Sequence, residues 1–223
     1  MKEMKQEKTF STELVFILDR SGSMSGLESD TIGGFNSMLE KQQEEPGECR
    51  LTTILFDEHV EILHDRLDIK AVKPMTKREY FVRGCTALLD AIGKTIDKIS
   101  NVQQSTSPEY RAEKVLFIIT TDGMENASRE FSCDKIKSLI NEKKSECEWE
   151  FIFLGANIDA VKVAENIGIS ESNAQAFHND SIGIQANYRT LAQAASRFRK
   201  QERNFLSEDW KEDIQADFEN REI

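Results

Sequence analysis

The sequence predicts an α/β fold: a doubly wound, mostly parallel sheet with helices on both faces and one antiparallel edge strand. Short apolar runs alternate with stretches of helical spacing along most of the chain, the pattern of strand–helix–strand units. One connection breaks that alternation, because only Asp57-Glu58 separates residues 51–56 from residues 59–67. Two residues cannot cross over to a parallel strand, so this pair is an antiparallel hairpin, and a sheet edge is its natural place. The 223 residues are 39% hydrophobic, enough for one core and too apolar for general disorder.

The elements follow in order. Residues 14–18, Leu-Val-Phe-Ile-Leu, read as a buried first strand. Ile32, Phe35 and Leu39 then recur at helical spacing. The hairpin comes next, followed by a stripe of Leu89, Ile92, Ile96 and Ile99. Residues 115–120 form another buried strand. Ser132 is a helix cap ahead of Ile136, Leu139 and Ile140. Residues 149–154 are the next strand, and Ile184, Tyr188, Leu191, Ala195 and Phe198 make a helical stripe. Such stripes face a core rather than a cofactor. The organisation expected is a polar segment at 1–11, a domain at 12–201 and an acidic tail at 202–223. In the tail Leu206, Trp210, Ile214 and Phe218 recur every four residues, after a helix start at Ser207. That helix either packs back on the domain or binds a partner.

Charge and cysteines narrow the function classes. The net charge is −11, of which the tail carries −5. An acidic surface argues against nucleic acid and anionic membranes, which attract Lys and Arg. No apolar run approaches the roughly 18–20 residues that span a bilayer. The N-terminus lacks the apolar region of a secretory signal. The four cysteines form no C-x-x-C pair, which reads as reduced thiols in a cytoplasmic protein. The glycosylation sequons at Asn126 and Asn179 are then accidental.

Chemistry concentrates on three loops. The first strand runs into Asp19-Arg20-Ser21-Gly22-Ser23, which puts a carboxylate and two hydroxyls on one turn. Residues 84–92, Gly-Cys-Thr-Ala-Leu-Leu-Asp-Ala-Ile, place a Gly and a Thr just before a helix. The strand at 115–120 leads into Thr121-Asp122-Gly123. In doubly wound sheets, loops at the carboxyl ends of strands form the ligand crevice. Two carboxylates and three hydroxyls suit a hard divalent ion, Mg²⁺ or Mn²⁺, with octahedral oxygen coordination.

These segments resemble the von Willebrand factor A family in its bacterial cytosolic branch. Its metal-ion-dependent adhesion site is D-x-S-x-S, then a Thr, then an Asp. LVFILDRSGSM, GCTALLDAI and LFIITTDGMEN match the three parts in order, over residues 12–200. The resemblance implies a six-stranded sheet with an antiparallel edge, and a metal site of Asp19, Ser21, Ser23, Thr86 and Asp122. It implies that Ser21 and Ser23 bind directly, that Asp19 and often Asp122 act through water, and that Thr86 joins in the ligand-competent form. Movement of the Thr86 loop then switches affinity. Gly22, Gly84, Gly123, Glu125 and Asn157 are expected at the rim, Glu125 otherwise as a helix start. The function implied is a non-enzymatic protein-interaction module whose cation takes an Asp or Glu from a partner. ATPases and stress-response proteins are partners of that class.

Two rival readings use the same residues. A Mg²⁺-dependent phosphoryl hydrolase with Asp19 as nucleophile needs a second acid two residues on, where this chain has Ser21. A metal-free scaffold would not need all five motif residues. Gly93-Lys94-Thr95 resembles the end of a phosphate-binding loop but sits inside a helical stripe. The histidines are scattered, with His59 and His64 expected on opposite sides of a strand at a surface or edge.

Overall fold

The computed structural model describes residues 11–200 and 210–221. Six strands form one sheet: β1 (Thr12–Asp19), β2 (Cys49–Phe56), β3 (Val60–Asp68), β4 (Lys114–Thr121), β5 (Glu150–Ala156) and β6 (Ala174–Phe177). Their order is β3-β2-β1-β4-β5-β6. Every pairing is parallel except β2 with β3. The helices are α1 (Glu28–Glu44), α2 (Leu88–Ser105), α3 (Cys133–Cys147), α4 (Ala160–Asn166), α5 (Ser181–Arg199) and α6 (Glu212–Arg221). The fold class read from the sequence, antiparallel edge included, is the one observed.

The alternation of side chains along β1 explains the layers. Leu14, Phe16 and Leu18 join a cluster with residues of α1, α5 and α6. Val15 and Ile17 join the opposite cluster with α2, α3 and α4. Both faces are apolar because both are covered, so central strands read as continuous hydrophobic runs. Phe16 meets Phe35 of α1 edge to face at 5.8 Å. On the other side Phe117 stacks on Phe151 at 4.9 Å. Helices α1 and α5 approach closely because Gly34 has no side chain: a Cβ there would stand 2.2 Å from the Tyr188 ring.

Strand β3 is an exposed edge, interrupted rather than flat. Its register with β2 shifts twice, and Arg66 takes a left-handed φ of 49°. The irregularity sends Arg66 Nε to the buried Glu13 carboxylate, at 2.9 and 3.0 Å. An irregular, charged edge resists pairing with another chain. The histidines keep the surface or edge placement expected of them but do not share a strand. His59 lies in the turn before β3, so the spacing of five has no strand to act on. His64 is buried, bonded to Thr53 and stacked on Phe35 at 6.3 Å, because α1 covers the inner face of this edge.

The opposite edge carries α6. Trp210 and Ile214 enter the α1–α5 cluster. Trp210 Nε1 donates to the Ser172 carbonyl at 2.7 Å, and Lys211 Nζ to the Ala174 carbonyl at 3.0 Å. Of the two roles expected for the tail helix, packing on the domain is therefore the one seen. Leu206 and the start at Ser207 lie outside the described residues.

Strand order places the candidate site. The chain works outward from β1 to β3, then returns across the sheet to β4. The reversal falls between β1 and β4, which leaves a crevice at their carboxyl ends. Asp19 ends β1 and Asp122 immediately follows β4.

Candidate functional site

The Asp19 loop is built from its own carboxylate outward. Asp19 Oδ1 accepts the Ser21 N–H at 2.7 Å, which turns the chain sharply after the strand. Its other oxygen accepts the Thr121 hydroxyl at 2.6 Å, across the β1–β4 pairing. Tyr80 OH donates to the Asp19 carbonyl at 2.6 Å. Burial pushes the Asp19 carboxyl up to about 6, against the hydrogen bonds from Ser21 and Thr121, and the nearby Asp122 charge adds to the rise.

The other motif residues converge on it. Ser21 Oγ lies 3.1 Å from Ser23 Oγ, and Ser23 Oγ donates to Asp122 Oδ1 at 2.6 Å. Asp122 is also pushed up by burial, while hydrogen bonds from Ser23 and Asn179 oppose the shift. Thr86 is joined through Gly123. A Cβ at Gly123 would stand 3.2 Å from Ser23 Oγ and 3.4 Å from Thr86 Oγ1, so both hydroxyls lie against the same glycine. Asp19, Ser21, Thr86 and Asp122 are each at most 3% exposed, whereas Ser23 reaches the surface.

Backbone pairing locks the three loops together. Gly22 N–H donates to the Gly84 carbonyl at 3.1 Å, and Arg83 N–H to the Arg20 carbonyl at 2.9 Å. Thr86 and Asn126 exchange two bonds: Thr86 N–H to Asn126 Oδ1 at 2.9 Å, and Asn126 N–H to the Thr86 carbonyl at 3.0 Å. The Thr86 and Asp122 loops are thus one joined unit.

The expected rim residues divide. Gly22, Gly84 and Gly123 line the junctions just described. Asn157, with φ 55°, directs its amide at the Asp122 carbonyl, 3.5 Å away. Glu125 does something else. Its carboxylate accepts the Leu89 N–H at the start of α2, and the Ala127 and Ser128 N–H groups of its own loop, at 2.7–2.9 Å. It braces the loop against a helix N-terminus, where backbone N–H groups favour an anion. Nor does a helix start there; the next is α3, at Cys133, whose Ser132 cap accepts the Lys135 N–H.

Several residues at the site carry little or no sequence signal. Thr121 stands out only as the neighbour of Asp122. Asn179 donates Nδ2 to Asp122 Oδ2 at 2.9 Å; its one signal in the sequence is the Asn179-Asp180-Ser181 sequon. Arg20, the variable position inside D-x-S-x-S, is wholly buried. Its Nε donates to Asp57 Oδ2 at 2.9 Å, and Arg83 Nε donates to the same oxygen at 2.7 Å. Burial raises the Asp57 carboxyl, but the bonds from Arg83 and the His59 N–H and the Arg20 charge outweigh it and hold it below the usual range.

The donor set is all oxygen. Among the described residues no group of three or more His, Cys, Asp or Glu side chains is placed to hold a metal ion. The site instead offers two carboxylates and three hydroxyls gathered around Gly123. It also holds the buried Asn179 Oδ1, which has no hydrogen-bond partner. Hard divalent cations accept such a set and bring water that can donate to an orphan oxygen.

Comparison with solved structures now has a geometry to meet. The PilB minor pilin of Streptococcus sanguinis, a D319A mutant, superimposes with a TM-score of 0.58 at 12% identity, over 86% of this chain and 63% of that one. A von Willebrand factor type A structure from Catenulispora acidiphila gives 0.55 at 11% identity, over 84% and 43%. The fold is von Willebrand factor A-like. Proximal thread matrix protein 1 of the mussel byssus, in a form described as having a zinc-occupied adhesion motif, gives 0.56 at 14% identity, over 84% and 46%. The chain spans roughly half the length of most of these structures. No family model and no curated protein matches it. At these identities the likeness to other von Willebrand factor A-like domains is one of fold. Among the described residues no helix is long and apolar enough to cross a membrane.

Proposed function

We propose that this domain is a divalent-cation-dependent protein-binding module, with Asp19, Ser21, Ser23, Thr86 and Asp122 as its cation-holding residues. The observation that carries the reading is the meeting of three separate loops at the fold's ligand crevice, where Ser21, Ser23 and Asp122 are hydrogen-bonded in series and Ser23 and Thr86 both lie against Gly123. Mg²⁺ or Mn²⁺ supplies an electrophilic site for one exchangeable ligand. Two carboxylates formally neutralise a dication and the hydroxyls add no charge, but with one carboxylate held off behind water the ion stays electrophilic, and a carboxylate from outside completes its octahedron. The partner is a protein presenting an Asp or Glu.

The residue at the second acid position supports binding over catalysis. Position 21, where a hydrolase would carry an acid, is a serine bonded to Ser23. The zinc-occupied motif named for the mussel protein supports metal binding on this fold. All four cysteines are free thiols, which supports a reducing, cytoplasmic setting.

Calorimetric titration of Mg²⁺ and Mn²⁺ tests the reading. The wild type is expected to bind one ion, and Asp19→Ala to lose binding while staying folded. Capture of an acidic protein partner should vanish in EDTA. Equal metal response in wild type and Asp19→Ala would overturn the assignment, and metal-dependent phosphatase turnover lost in Asp19→Asn would replace it with the hydrolase.

A further inference from the structure

We propose that Asn179 is a positioning residue for the candidate cation site, and that α6 holds it there. The proposal rests on the cation-binding reading above. Asp122 is gripped at both oxygens: Oδ1 accepts from Ser23 Oγ at 2.6 Å and Oδ2 from Asn179 Nδ2 at 2.9 Å. A carboxylate held on both sides cannot rotate, so the Asn179 amide fixes which oxygen faces the serine loop. Such a second layer of hydrogen bonds sets the orientation of metal-binding carboxylates. The remaining Asn179 oxygen, Oδ1, is buried without a partner. It is an acceptor waiting for a donor, and water held in the site is one.

Asn179 sits between two residues that α6 holds. On one side, His178 Nε2 donates to the Phe218 carbonyl at 3.0 Å, and its ring stacks on Phe218 with centroids 4.7 Å apart. On the other, Asp180 Oδ2 accepts from Arg221 at 2.5 Å, while Asp180 Oδ1 caps α5 through the Gly183 N–H at 2.8 Å. Arg221 also pairs with Asp217 on its own helix. The turn between the two anchors has little slack. Asp180 N–H donates to the His178 carbonyl at 2.9 Å, and a Cβ at Gly183 would stand 2.1 Å from that same oxygen. A tight turn clamped at both ends directs the residue between them, and here that residue reaches Asp122. Helix α6 therefore acts on the site without touching it.

Titration of Mn²⁺ into the full chain by calorimetry decides the proposal, with thermal melts in EDTA to confirm folding. Asn179→Ala should weaken Mn²⁺ binding about tenfold. Arg221→Ala should weaken it less. The double variant should bind no more weakly than Asn179→Ala alone, since the clamp acts only through the amide. A merely structural α6 would leave Mn²⁺ affinity untouched in Arg221→Ala. If Asn179→Ala does not fold, Arg221→Ala alone decides, and an unchanged affinity overturns the clamp. Wild-type affinity in Asn179→Ala overturns this inference and leaves the cation reading standing. Absence of Mn²⁺ binding in the wild type overturns both, and additive losses in the double variant overturn the link to α6.

Discussion

Asp19 and Gly123 show how single residues are tuned by their surroundings. Burial holds the Asp19 carboxyl near pH 6 in place of its ordinary 3.8. The folded state then takes up a proton more readily than the unfolded chain. Its stabilising contribution is complete below about pH 4 and is lost as pH rises through about 6. A shift of this size corresponds to about 3 kcal/mol. In EDTA, Asp19→Asn, which is always neutral, should gain that much relative to wild type between pH 4 and pH 7. A stability difference that stays flat with pH would show that Asp19 is not strained. Because the ionised form binds cations, Mg²⁺ should raise the melting temperature more at pH 7 than at pH 5. Gly123 makes a separate prediction. A methyl there would crowd Ser23 Oγ and Thr86 Oγ1 at 3.2 and 3.4 Å. Gly123→Ala should weaken Mn²⁺ binding at least fivefold with little change in melting temperature, and unaltered affinity would remove Gly123 from the site.

At the scale of elements, the loops are held by buried charge and by caps. Asp57 follows β2 and binds two guanidiniums, Arg20 from the β1 loop and Arg83 from the segment before α2. Arg20 and Asp57 are both fully buried, so removing Asp57 leaves the buried Arg20 with only the half-exposed Glu61 and leaves Arg83 without its closest partner. Asp57→Ala should cost about 3–5 kcal/mol in urea unfolding. Glu61, half exposed on β3, also pairs with Arg20, yet Glu61→Ala should cost under about 1 kcal/mol. Equal losses from the two would mean that burial does not set the strength of this network. Asp90 plays a comparable part on α2. Its burial is outweighed by backbone N–H bonds from Arg129, Glu130 and Phe131, which hold its carboxyl below the usual range. With Glu125 it pins the loop after Asp122 to the start of α2, on the same side as Thr86. The loop motion implied by the family resemblance would have to carry Thr86, Asn126 and Asp122 together.

Across the whole molecule, α6 is part of the fold. Trp210 is 6% exposed and Ile214 is 1% exposed, both in the α1–α5 cluster. Trp210→Ala should lower stability by about 3 kcal/mol, read as a shift of one unfolding transition. A melt indistinguishable from wild type would make the helix a separate appendage. The acidic charge of the segment is compatible with docking because its charges find partners on the domain: Lys211 meets carbonyls of the last strand region, Arg221 meets Asp180 and Asp213 meets Arg189 of α5.

The sequence by itself determined the sheet class, five of the six strands, four core helices and the antiparallel edge. Those signals are local, since apolar periodicity and connection length survive without neighbours. It did not show β6 or α4, which are four and seven residues long; at most two periods are too few to tell a pattern from chance, and such elements are stabilised by what covers them. The five motif residues stand out in the sequence because their spacing on three loops is distinctive, and the structure brings them together. Only the tertiary structure decided which of their neighbours take part. Asn179 reaches Asp122 across 57 positions and Thr121 reaches Asp19 across 102. Glu125 looked like a rim acid but faces backbone N–H groups, and Arg20 looked like a spacer but is the buried charge that ties β1 to β2. Hydrogen-bond partners depend on where burial leaves a donor without water. That is a property of the packed chain, and no spacing along the sequence encodes it.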